Sequence, residues 1–281
     1  MRGTNNIDAF KAYLDGERKF SVTDQGSMGD AIVKFREAIN IDPSFARAHG
    51  YLSYALVRSA LVGWRRRSVI KEQALKSAKE AVKLDHKNYL QLADDKTKAI
   101  CEACDYAPYW DLAFVYLNIK GRLQDSIDNY KRAIYLYDNL TDRLDRKTGL
   151  LAEAAVAFIQ FGDRVTAMEL LERSKLTPGW YHWNHGFAHY MVGYYAGALA
   201  DLGHPDIDPA GPNGRSIPPE VWIFVAVAKA RNKDIAGGIA AMNRFRKLRS
   251  GVTKNNLKEH WQFQESGDQQ HWNEGIDLTW E

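Results

Sequence analysis

PGWYHWNHGFAHYMVGYYAGALADL, residues 178–202, decides how this chain is read. It divides at Gly193 into two helical stretches, Trp180–Val192 and Tyr195–Leu202, which a short turn would set antiparallel. Along the first stretch His182, His185-Gly186 and His189 mix large and small residues on one face; along the second, Ala198 and Leu202 answer them. Small residues let two helix backbones approach, and large ones fill the space that remains. A lone pair of this kind keeps an apolar face in water, so further pairs must stack on both sides of it.

Outward from this hairpin the pattern recurs. Trp110, Ala113, Leu117, Ser126, Tyr130 and Ala133 repeat it around a turn at Gly121, and Leu151, Ala154-Ala155, Phe158, Ala167 and Leu171 around Gly162. Toward the N-terminus a helix over Ala9–Phe20 precedes one with Ala31, Phe35 and Ala38 inward, stopped by Asp42-Pro43. Ala48, Leu52 and Leu56 mark the next helix, Ala74, Ala78, Ala81 and Leu84 the one after, and Leu90–Ala103 another. A degenerate pair runs from Val221 to Leu248. These packing roles are those of the tetratricopeptide repeat, although the turn glycines depart from its period of about 34 residues, which implies insertions. The expectation is an all-α, tetratricopeptide-like helical-hairpin solenoid of five to six degenerate repeats over residues 8–250. Residues 251–281 carry Trp261, Phe263, Trp272, Ile276 and Trp280 on a polar background and are expected to fold back as a cap on the last repeat. Gly203–Pro219 holds Pro205, Pro209, Pro212, Pro218 and Pro219 of the eight prolines and reads as a loop inserted between repeats.

Composition narrows the function classes. With 38 basic and 35 acidic residues the net charge is +3, which gives no polyanion-binding character. Arg65–Arg67 is a short basic run without interleaved aromatics and reads as a solvated corner, so no nucleic-acid partner is expected. The opening residues lack the apolar core of a signal peptide, and VWIFVAVA at 221–228 is far short of a membrane span of about 20 residues. No membrane partner and a cytoplasmic location are therefore expected; the oligomeric state is left open.

Several stretches resemble the C-terminal tetratricopeptide region of bacterial multidomain adenylate cyclase-like proteins. They are Gly63-Trp64, WDLAFVYLN at 110–118, WYHWNHGFAHY at 180–190 and HWNEGI at 271–276, and the similarity runs from about Ala9 onward. The resemblance implies a regulatory or scaffolding module. The cyclase domain of that family has no counterpart in these residues, so no activity is carried over. Where the family has leucine or tyrosine, this chain has His182, His185 and His189.

Those three histidines share one helix face at spacings of three and four. Neutral imidazoles suit zinc, copper or nickel, and a histidine seam can also sense pH. No acid or cysteine close in sequence completes a ligand set, so packing against the partner helix is the expected role and no metal or other cofactor is expected. Cys101 and Cys104 form a CxxC without a second ligand pair or a βαβ setting, and read as small buried thiols. GxGxxG, Walker, GxSxG and HExxH motifs are absent, and no enzyme is read. The expected function is a non-catalytic scaffold or adaptor that takes a protein, peptide or small ligand in a concave groove; the alternative is a metal- or haem-binding accessory protein or enzyme built on the histidine face. Trp180, Trp183, Phe187 and Tyr190 form an aromatic stripe about 100° around the helix from the histidines. With Asn184, and with Tyr54, Val115 and Asn118 on other first helices, they are the expected groove residues.

Overall fold

A computed structural model describes residues 3–22, 25–61, 65, 67–90, 104–139, 149–174, 178–204 and 219–280. Every regular element among them is a helix. The chain divides into two compact units, Met1–Arg146 and Lys147–Glu281.

The first unit holds α1 (Ile7–Phe20), α2 (Gln25–Ile41), α3 (Ala46–Leu61), α4 (Arg67–Leu90), α5 (Tyr106–Leu117) and α6 (Leu123–Asp138). Consecutive helices pack as pairs, and each first helix also meets the pair before it. Local chemistry sets the boundaries. Asn6 Oδ1 accepts from the backbone N–H groups of Asp8 and Ala9 at the start of α1, and the Asp105 side chain accepts from Ala107 N–H at the start of α5. Asp42-Pro43 ends α2, as the sequence requires. Ala31, Phe35, Ala38, Ala48, Leu56, Ala74 and Ala78 are all fully buried, so the expected inward faces are the observed ones.

The second unit holds α7 (Gly149–Phe161), α8 (Arg164–Arg173), α9 (Pro178–Met191), α10 (Tyr195–Leu202), α11 (Val221–Arg231), α12 (Ile235–Leu248), α13 (Lys254–His260) and α14 (Ser266–Thr279). α7 with α8, α9 with α10 and α11 with α12 are hairpins. Their turns need a left-handed residue. Gly162 and Gly193 supply it at φ +91° and +82°, as Gly121 does in the first unit at +77°. The α11–α12 turn instead uses Lys233 at φ +70°, where a Cβ is strained. Lys233→Gly keeps the Lys233 N–H to Ala230 C=O bond and is expected to raise stability by up to about 1 kcal/mol. A melting temperature that stays level or falls would show that the turn is not strained.

α14 packs on α11 and α12, as a next first helix would. Residues 261–264 run back over α9 and α7: Trp261 lies 5.2 Å from Phe187 between ring centres, and Gln264 N–H donates to Gln160 C=O at 2.8 Å. Arg164 at the start of α8 pairs with Asp268 of α14. α7 is buried from Leu150 through Gln160 without a break. None of the described helices is long and apolar enough to cross a membrane. The 205–218 loop, Gly63-Trp64, Arg66, Cys101 and the segment expected as a helix over 91–103 lie outside the described residues. Cys104 is buried and disulfide-bonded, which corrects the reading of it as a free thiol.

Candidate functional site

Two places combine side chains that could carry function. One lies inside the α9–α10 hairpin. A Cβ on Gly186 would stand 2.8 Å from Leu202 Cγ and 3.2 Å from Ala198 C=O, so glycine is what lets α10 lie directly on α9. Gly197 plays the same part on α10, because a Cβ there would strike the Tyr194 ring and stand 3.0 Å from His189 Nδ1.

This close approach delivers Asp201 to the histidine face. His185 Nδ1 is 3.0 Å and His189 Nδ1 2.8 Å from the same oxygen, Asp201 Oδ2, and His182 Nδ1 is 3.6 Å from Oδ1. The His185 and His189 rings are 4.2 Å apart between centres, Tyr181 stacks on His185, and His204 stacks on His182 at 3.5 Å. Asp201 and the three histidines around it are 13–21% exposed, shielded yet reachable. His185, His189 and Asp201 each offer one ligand atom within 4.8 Å of the others. The expectation that no acid stands near the histidines is therefore corrected. Asp201 is sixteen residues from His185 and twelve from His189, and antiparallel packing brings it in.

The aromatic stripe of α9 is also corrected. Phe187 and Tyr190 are 1% and 0% exposed, so neither can meet a ligand. Phe187 packs on Phe224 of α11 at 5.0 Å, and Tyr190 on Trp272 of α14 at 6.2 Å. Asn184 is equally buried and donates from Nδ2 to Ala152 C=O at 3.0 Å, stitching α9 to α7. Trp183 is half-buried with its ring edge on Phe224, and the side chain of Trp180 is outside the described part of the chain. The stripe is a real face. Its cover comes from α7, α11 and the C-terminal segment, which spacing along α9 cannot reveal.

The other place is the face that α1, α3 and α5 form in the first unit. Phe20, Tyr51, Tyr54 and Trp110 are half-buried and touch in sequence: Phe20 to Tyr54 at 5.6 Å, Tyr54 to Trp110 at 6.2 Å, and Phe20 to Tyr51 at 6.0 Å. Tyr54 lies flat on Phe114, 4.1 Å between ring centres, which fixes its rotamer. The Arg58 guanidinium covers Phe20 at 5.1 Å. Burial, and next to it the Tyr13 phenol and the Glu17 carboxylate, push the Tyr51 phenol well above its usual range, so it stays a neutral hydroxyl. Of the expected residues here, Tyr54 belongs to the row. Val115 is 1% exposed and belongs to the core, a correction that follows from its packing in the first unit's cluster. Asn118 is half-buried and caps α5 by donating from Nδ2 to Phe114 C=O. Phe20, Tyr51, Arg58 and Trp110 were not among the expected site residues. The aromatic positions on consecutive first helices were the signal that could have found them.

The helix pairs, their left-handed turn residues and their small-residue contacts define a tetratricopeptide-like helical-hairpin protein. Solved structures of low similarity include YrrB, described as a TPR protein with an unusual peptide-binding site, at 13% identity and TM-score 0.39 over 77% of this chain and 93% of that one. TTC0263, a thermophilic TPR protein of Thermus thermophilus, is similar at 15% identity and TM-score 0.33 over 96% and 99% of the two chains. The TPR2AB domain of yeast Sti1, solved as a pHSP90 complex, is similar at 14% and 0.32 over 96% and 98%. No protein-family profile matches the chain, and no curated protein does.

Proposed function

We propose that the chain is a non-catalytic interaction scaffold that holds a peptide segment of a protein partner against the α1–α3–α5 face. The observation that carries this reading is the row Phe20–Tyr54–Trp110, three rings from three successive first helices, each partly open to solvent. Rings held by their neighbours offer large contact area at little entropic cost, which is what interface anchors need. Arg58 at the end of the row favours a peptide that pairs an apolar side chain with a nearby carboxylate. The corresponding face of the second unit is covered by residues 261–272, which supports reading 251–281 as a cap. A regulatory setting, as in the cyclase-linked repeats that the sequence resembles, is part of the proposal, as is a location in the cytoplasm.

The test is a selection of displayed peptides on the wild-type chain, followed by affinity measurement on a Tyr54→Ala/Arg58→Glu variant. Selected peptides should carry an aromatic or aliphatic residue beside Asp or Glu. The variant should lose at least about tenfold in affinity, or 1.4 kcal/mol. Peptides that bind the variant as well as the wild type would place recognition elsewhere.

A further inference from the structure

The α9–α10 hairpin carries chemistry that an interaction scaffold does not require. Of the eight histidines in the chain, four are gathered there: His182, His185 and His189 stand around one carboxylate, and His204 stacks on His182. We propose that His185, His189 and Asp201 bind a divalent transition-metal ion of the zinc class.

The geometry supports an ion in three ways. Bonds of about 2.0–2.2 Å to nitrogen and oxygen place neighbouring ligands about 3–3.5 Å apart. The two imidazole nitrogens are already 3.0 and 2.8 Å from Asp201 Oδ2, so small side-chain movements suffice and neither helix has to shift. The donor set, two imidazoles and one carboxylate, is the borderline mixture that zinc, cobalt and nickel prefer over the all-oxygen sets of magnesium and calcium. Three protein ligands leave a fourth position open, and His182 stands beside it, 3.6 Å from the other carboxylate oxygen.

The surroundings hold the ligands in place. Tyr181 stacks on His185 at 5.0 Å, and the Tyr194 ring edge faces His189 at 5.1 Å, so both imidazoles are clamped on their outer sides. Gly186 and Gly197 leave no room for a Cβ and so let α9 and α10 touch, and that contact is what positions Asp201. Partial exposure leaves a path for an ion while limiting competition from water. Bridging α9 to α10, the ion would bind the folded hairpin and not the unfolded chain, and would stabilise it by mass action.

The full-length chain, freed of metal with a chelator, is titrated with zinc by calorimetry and with cobalt by visible absorption. One ion per chain is expected, with the intense ligand-field bands of a four-coordinate cobalt site and a raised melting temperature. His189→Gln and Asp201→Asn should each weaken zinc binding at least about tenfold. Should either variant fail to fold, diethylpyrocarbonate labelling of the wild type decides: zinc should protect His185 and His189 and leave His49 and His86 reactive. Affinity unchanged in both variants, octahedral cobalt spectra with no 1:1 end point, or protection of His49 and His86 instead would each overturn the proposal.

Discussion

Trp272→Ala is expected to cost the second unit about 3–5 kcal/mol, the range for emptying an aromatic site that cannot collapse. The indole is 0% exposed and stands where α9, α11 and the C-terminal segment meet. Its ring centre lies 5.5 Å from Phe224, 6.2 Å from Tyr190, 6.5 Å from Phe187, 6.1 Å from Trp261 and 6.3 Å from Phe263. Its Nε1–H donates to Leu257 C=O at 3.3 Å, which ties α14 to α13. Removing the ring strips contacts from all of these at once and orphans a buried carbonyl. Trp272→Phe keeps most of the contact area and should cost roughly half as much or less. Urea unfolding read by far-ultraviolet circular dichroism measures both. A loss under about 1 kcal/mol for alanine would mean that the C-terminal segment is not part of the folded unit.

The same residues show how far the sequence could be read. Helices, their inward alanines and the turn glycines Gly121, Gly162 and Gly193 are local matters: period, size and the need for a positive φ. All were legible. The aromatic stripe was legible as a face and not as a site, because its cover arrives from residues 261–272, some eighty positions downstream of α9. Asp201 falls between these cases. Once Gly186 is set against Ala198 and Leu202, a residue three beyond Ala198 must lie over the histidines, so helix register held the information. A search for ligands near in sequence missed it. In the first unit the row Phe20–Tyr54–Trp110 joins residues from three helices, and only their packing shows which rings touch.

Stability of the first unit is expected to fall as pH rises from about 4 to 7, and the cause is one carboxyl group on α4. Asp85 Oδ2 accepts the Asp105 backbone N–H at 3.1 Å, in a partly closed corner that Asp105 shares with Arg47 at 2.5 Å. Burial first, and then the charge of Asp105, push the Asp85 carboxyl up to about 7, against the opposing pull of that N–H and of Arg47. An unfolded aspartate ionises near 3.9. Between these values the folded state binds more protons than the unfolded one, so stability declines with pH and levels off above about 7. Asp85→Asn keeps an oxygen to accept the Asp105 N–H and can carry no charge. At pH 8 it should therefore be more stable than the wild type by at least about 1 kcal/mol, with the difference gone near pH 4. Urea midpoints of both proteins at pH 4, 6 and 8 isolate this group, because every other titration cancels in the difference. A constant difference across the series would mean that Asp85 ionises at its ordinary value, and that the Asp105–Arg47 corner is open to water.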